Sequence, residues 1–110
     1  LRRRRGDEPT SGPRVVLEAV GLDAWGETAL ERGVLPLADE AAGPEDAVRD
    51  LACALGLVQG SILARAPDGR PLRLFVVQGD GRCAELAPLD DPEAVALFTD
   101  EFAALWAEDA

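Results

Sequence analysis

The chain has 110 residues, 47% of them hydrophobic, which suits a single folded domain with its own core. Its formal net charge of −10 disfavours nucleic acids and anionic membrane surfaces as partners, because both are bound through clustered cations. No apolar run approaches the roughly 20 residues of a membrane-spanning helix. We therefore expect a soluble, cytoplasmic protein, and the absence of Lys and Asn beside abundant Arg, Ala and Gly indicates a high-GC bacterium.

The N-terminal segment differs in composition from the rest of the chain. Residues 1–13 have almost no side chain that a core would bury, so we expect a disordered leader before one α+β domain over 14–110. The run Arg2 to Arg5 fits the cytoplasmic flank of a membrane helix outside this chain. A loose start of an open reading frame explains the same run.

The first elements of the domain are predicted to be a strand and a short helix. β-Branched and apolar residues over 15–20 indicate a strand or a buried extended segment, which Gly21 ends. Asp23 suits the N-cap of a helix over 24–32, and Gly33 suits its C-terminal stop.

A connection over 34–43 leads to a second helix, predicted over 44–55. Pro44 suits its first turn, acidic residues follow where the helix dipole favours them, and Gly56 ends it. Its apolar residues recur at helical spacing and form one stripe: Ala47, Val48, Leu51, Ala52 and Leu55.

Three short strands with tight turns are predicted next, over 57–66, 72–78 and 82–87. The sequence Pro-Asp-Gly-Arg-Pro at 67–71 is a strong turn signal, and Gly-Asp-Gly at 79–81 is another. Consecutive strands joined in this way form an antiparallel meander.

A final helix is predicted from Pro92 to Glu108, with Asp91 as its N-cap. The resulting order is β-α-α-β-β-β-α. This order predicts an α+β fold in which a small antiparallel three-stranded meander, with or without the N-terminal strand, packs against two or three helices.

The chain lacks the residues on which most catalysis depends. It contains no His for a general base and no Lys for a Schiff base. The two cysteines, Cys53 and Cys83, are expected to be buried, reduced thiols, since neither a disulfide framework nor a set of metal ligands surrounds them. We expect a non-enzymatic protein with no cofactor and no metal; a small enzyme of unrecognised type stays open as an alternative.

Strand alternation suggests a binding surface on the predicted meander. If Ile62 and Ala64 face the core together with Leu74, the opposite face is a mixed Arg/Phe surface. Either a helix covers that face, or it binds a protein partner or a second copy of the chain. The residues of this hypothesis are Leu63, Arg65, Arg73, Phe75 and Val77.

The charge of the last helix suggests a second hypothesis. From Cys83 to Ala110 the chain has eight acidic residues and no basic one. An acidic chaperone- or immunity-type protein would cap a basic partner with such a helix, although a solvated outer face explains the same pattern. The residues concerned are Glu93, Asp100, Glu101 and Glu108.

The segment 74–106 reads as a strand, a glycine turn, a strand, then Asp-Asp-Pro-Glu-Ala-Val and a helix ending Phe-Ala-Ala-Leu-Trp. It resembles the closing segment of effector or antitoxin-like domains attached to actinobacterial helix-turn-helix regulators, which implies a sensing or partner-binding role. The two predicted helices followed by the hairpin at 57–78 also fit a winged helix, in which 44–55 would be the recognition helix. Its carboxylates are wrong for a DNA major groove, which leaves protein contacts for that alternative.

Overall fold

The computed structural model describes residues 13–37, 43–80 and 82–109, and within them the chain forms five strands and two helices. The elements are β1 (Arg14–Asp23), β2 (Thr28–Pro36), α1 (Glu45–Leu55), β3 (Leu57–Arg65), β4 (Pro71–Gly79), β5 (Ala84–Leu89) and α2 (Pro92–Asp109). The predicted leader, apart from Pro13, and the Arg2–Arg5 run lie outside the described residues.

The five strands form one antiparallel sheet in the order β2-β1-β3-β4-β5. Because β2 and β3 both run antiparallel to β1, they are parallel to each other, and α1 connects them across β1. The predicted α+β class is confirmed. The predicted meander is present as β3, β4 and β5, but it is part of a larger sheet whose other two strands come from the N-terminal hairpin.

The helix predicted over 24–32 is absent; the segment is a turn followed by most of β2. The Asp23 side chain accepts the backbone N–H groups of Trp25 and Glu27, each at 2.9 Å, and so closes a hairpin turn where a helix N-cap was expected. Gly26 takes a φ of 81°, which suits a turn and not a helix. The edge of β1 then pairs the following residues as a strand.

The connection predicted over 34–43 starts later than expected, because β2 continues to Pro36. Residues 38–42 lie outside the described part of the chain. The second predicted helix is present as α1, and Gly56 ends it in the left-handed region, with a φ of 67° and its N–H donated to the Cys53 carbonyl at 3.1 Å.

The two helices cover opposite faces of the sheet, so the domain has three layers. We call these the α1 face and the α2 face. Neighbouring strand residues alternate between them: Ile62 packs with α1 and Leu63 packs with α2. The α1 face contributes Val15, Leu17, Ala19, Ile62, Ala64, Phe75, Val77 and Ala84 to a core with Ala47, Val48 and Ala52. The core of the α2 face is smaller and consists of Leu63 and Leu74 with Phe98 and Phe102, packed against Val20 and Leu30.

The last helix lies where it is predicted. The Asp91 side chain accepts the Glu93 N–H at 3.0 Å, and this bond satisfies one of the free amides at the start of the helix. Phe98, Phe102 and Trp106 follow one another along the packed side, with ring centroids 5.9 and 5.5 Å apart. Neither helix of the described residues combines the length and the apolar character needed to cross a membrane.

Candidate binding surface

The predicted Arg/Phe face is not a single surface in the structure. Leu63 and Arg65 belong to the α2 face, whereas Phe75 and Val77 belong to the core of the α1 face. Leu63, Phe75 and Val77 are all completely buried. The reason is the register: Ile62 lies opposite Phe75, so these two residues share a face, where the prediction had placed them on opposite faces.

The two arginines of the predicted face are engaged in ion pairs. The Arg73 guanidinium lies 3.1 Å from the carboxylate of Asp90, and both side chains are well exposed. Arg65 is mostly buried, and its Nε donates to the carboxylate of Glu18 at 3.0 Å. Both arginines therefore serve the fold itself, Arg65 by satisfying a buried carboxylate and Arg73 by an exposed pair of small energy.

Glu18 is the centre of a polar network between the sheet and α2. Only 4% of this residue is exposed, and its second carboxylate oxygen accepts a hydrogen bond from Arg32 at 2.7 Å. Arg65 also donates to the Thr99 hydroxyl at 2.9 Å and to the Gly69 carbonyl at 2.8 Å. The network therefore joins β1, β2, β3, the β3–β4 turn and α2.

Arg32 adds an aromatic contact to this network. Its guanidinium carbon lies 5.7 Å from the ring centroid of Phe102 and 5.4 Å from that of Trp106. Sequence reasoning missed both Arg32 and Glu18. A signal was present for Glu18, because a single carboxylate inside the apolar run Val-Val-Leu-Glu-Ala-Val needs a cation if that strand is buried on both sides.

The four carboxylates predicted on the last helix lie on one exposed side of α2. Each of them is exposed, and at about 100° per residue they span roughly a third of the helix circumference. Leu97 lies among them and is 70% exposed. We call Glu93, Asp100, Glu101 and Glu108, with Leu97 among them, the acidic face of α2.

An open groove of about 550 Å³ runs beside α2 on the same side of the sheet. Leu72 and Leu89 remain partly exposed there, at 46% and 37%. Leu72 is the extra residue of a β-bulge, because Ala64 pairs with Arg73 and the next residue of β3 pairs with Pro71. The groove is lined by Pro71, Leu72, Arg73, Leu74, Leu89, Asp90, Asp91, Pro92, Val95, Ala96, Thr99 and Asp100.

The rim of the groove is negatively charged. Arg73 and Asp90 neutralise each other as an ion pair, which leaves the carboxylates of Asp91 and Asp100. Asp100 also belongs to the acidic face of α2, so the groove and that face are continuous. Together they offer an apolar floor beside a row of carboxylates.

The two cysteines lie apart from the groove and the acidic face of α2. Cys53 is half-buried on α1 and Cys83 is exposed, and both are free thiols. The exposure of Cys83 differs from the buried thiol expected at that position. Within 13–37, 43–80 and 82–109, no three His, Cys, Asp or Glu side chains converge in a way that would hold a metal ion.

The Asp80 carboxylate, in the β4–β5 turn, has a local structural role. It accepts the backbone N–H groups of Arg82 and Cys83 at 2.9 and 3.0 Å, and these two hydrogen bonds hold the pKa of Asp80 below its usual value. Such bonds order the turn that aligns β5 with β4.

Comparison with known proteins adds no family to this description. No protein-family model, curated protein or solved structure matches the chain. The resemblance of 74–106 to domains of actinobacterial regulators therefore stays a prediction, and a functional proposal has to start from the α2 face.

Proposed function

We propose that this domain is a non-enzymatic module that binds a basic protein partner through the acidic face of α2. The observation that carries the proposal is the common, solvent-facing position of Glu93, Asp100, Glu101 and Glu108 on one helix. Clustered carboxylates complement Lys and Arg side chains and accelerate encounters with a basic partner. A cytoplasmic, regulatory role in a high-GC bacterium is part of the same proposal.

Helix stability by itself does not account for this charge pattern. Glu93 lies in the first turn of α2, where a negative charge complements the helix dipole. Glu108 lies near the opposite end, where the dipole disfavours it, and the last turn contains no basic residue. Leu97, exposed among the carboxylates, would add an apolar contact to a bound partner. A basic partner would offset the unfavourable charges at the end of the helix.

A homodimer through this face is the less favourable form of a binding module. Two copies would bring two rows of carboxylates together, and each copy has a formal net charge of −10. Like charges that face each other across an interface weaken binding by several kcal/mol. We therefore favour a partner of different, basic composition.

The proposal is tested with charge-neutral variants and a labelled arginine-rich peptide. Asp100→Asn, Glu101→Gln and Glu108→Gln are combined in one variant. The matched control makes three equivalent changes on α1, at exposed positions that also remove three negative charges: Glu45→Gln, Asp46→Asn and Asp50→Asn. Fluorescence anisotropy then gives the Kd of each protein at low and at moderate salt.

We expect the α2 variant to bind about 5- to 150-fold more weakly, because three partly exposed ion pairs are worth a few tenths to 1 kcal/mol each. The α1 control should change the Kd by less than about twofold, and binding by the unmodified protein should weaken steeply with salt. Equal losses in the two variants would show attraction to the net charge alone and would reject the acidic face of α2 as the site.

A further inference from the structure

We infer that the groove beside α2 receives aliphatic side chains of the basic partner, so that the ligand is an amphipathic segment with Leu-like residues flanked by Arg or Lys. This inference rests on the proposed function and specifies its partner. It follows from three features of the α2 face: α2 leaves part of the sheet uncovered, the floor of the groove is apolar, and its rim is negatively charged.

The helix α2 does not cover the part of the sheet that contains β5. On the α1 face the core reaches β5, where Ala84 is buried. The core of the α2 face includes Leu74 of β4 but no buried residue of β5, among the residues that the structure describes. Leu89, which lies opposite Leu74 in the ladder, is left partly exposed. The sheet therefore presents apolar side chains that its own helix does not reach.

The floor of the groove suits aliphatic side chains. Leu72, Leu74 and Leu89 come from the strands, and Val95 and Ala96 come from α2. The volume of about 550 Å³ falls within the roughly 300–1,000 Å³ of ligand sites. The groove is open to solvent, which fits side chains projecting from a peptide better than it fits an enclosed small molecule.

Charge selects the occupant. The Arg73–Asp90 pair is neutral overall, so Asp91 and Asp100 set the sign of the rim. A second copy of this chain would have to bring its own acidic α2 against these carboxylates, and an acidic peptide would meet the same repulsion. An apolar segment with flanking Arg or Lys residues satisfies the floor and the rim together.

The test uses two peptides of equal charge, each with four Arg residues. One has three Leu residues between them and the other has Ser at each Leu position. The groove is altered in two independent ways: Leu72→Ser with Leu89→Ser removes partly exposed apolar groups, and Ala96→Gln fills the groove from an exposed helix position. Val34→Ser is the matched control, since Val34 is an exposed aliphatic residue of β2 outside the groove. Circular dichroism verifies that each variant keeps the fold.

For the unmodified protein we expect the Leu peptide to bind about 10- to 100-fold more tightly than the Ser peptide, as the burial of one or two leucine side chains implies. Both groove variants should remove most of this preference, while Val34→Ser should keep it. If the two peptides bind equally while the acidic-face variant still weakens both, the groove inference is overturned and the proposed function stands. If the acidic-face variant binds both peptides with unchanged Kd, the proposed function fails as well. A dimer of the unmodified protein that Ala96→Gln dissociates would instead identify a second copy as the occupant.

Discussion

Glu18→Ala should reveal how strongly α2 is held on the sheet. The substitution removes a buried carboxylate that pairs with Arg65 and Arg32. Loss of one partner from a buried ion pair costs roughly 3–5 kcal/mol. The Arg32 side chain is 47% exposed and can turn to solvent, whereas that of Arg65 is only 16% exposed and would keep a buried charge. We therefore expect a loss of about 3 kcal/mol, at the lower end of that range.

Replacing the buried Arg65 should lower the free energy of unfolding more than replacing the exposed Arg32. Arg65→Met should cost about 3 kcal/mol, since it leaves Glu18 buried with one exposed partner. Arg32→Met should cost about 1 kcal/mol, from an exposed pair and a cation–π contact. Glu31→Ala, at an exposed neighbour in β2, is the control and should stay within about 0.5 kcal/mol.

Urea unfolding followed by circular dichroism and by tryptophan fluorescence measures these differences. A domain of this size has a free energy of unfolding of roughly 5–15 kcal/mol, so all four variants should remain folded in buffer. Two outcomes would contradict these expectations: a Glu18→Ala protein as stable as the control, or an Arg32→Met protein that loses as much stability as Arg65→Met. Either result would mean that Glu18 is hydrated and not part of a buried network.

Two further substitutions test the packing. Phe75→Ala should lower the free energy of unfolding by about 3–5 kcal/mol in a thermal or urea melt, because Phe75 is fully buried. Leu97→Ser, on the exposed side of α2, is the control and should change it by less than about 0.5 kcal/mol. Equal losses of stability in the two variants would contradict the register of β4. Gly60→Ala would place a Cβ 2.7 Å from the Gly21 Cα of the neighbouring strand and should lower the free energy of unfolding by about 1–3 kcal/mol. At Gly33 the nearest atom would be 4.0 Å from the new Cβ, so Gly33→Ala should be tolerated. A Gly60→Ala protein as stable as the unmodified one would show that the backbones of β1 and β3 do not approach each other this closely.

Much of the secondary structure could be predicted because its signals are local. The helix over 44–55 has its stripe of apolar residues and Gly56, and the last helix has the Asp91 cap. The strands of the meander are separated by turn residues of strong preference. The strand β2 could not be predicted in this way, since Asp23 serves a helix cap and a hairpin turn equally well, and the choice depends on whether the edge of β1 is available.

Of the candidate site, too, the part that depends on local spacing could be predicted, and the parts that depend on strand register or tertiary contacts could not. The acidic face of α2 follows from helical spacing alone, since residues three, four and seven apart on a helix share a side. The predicted sheet face depended on the relative register of two strands, and the bulge at Leu72 shifts that register by one residue. A shift of one residue moved Phe75 and Val77 from the proposed surface into the core. The groove was also beyond prediction, because it is formed where β4, β5 and α2 meet.

By itself the amino-acid sequence determined the α+β class, the two helices, the three strands of the meander and the row of carboxylates on α2, because each depends on periodicity and caps within a short segment. Only the tertiary structure decided that the strands of the described residues form one five-stranded sheet with a helix on each face, that Glu18 is paired with two arginines, and that an apolar groove remains beside the acidic face. These features depend on contacts between segments distant in the chain, and local preferences do not encode which strands will pair or where a helix will lie on the sheet.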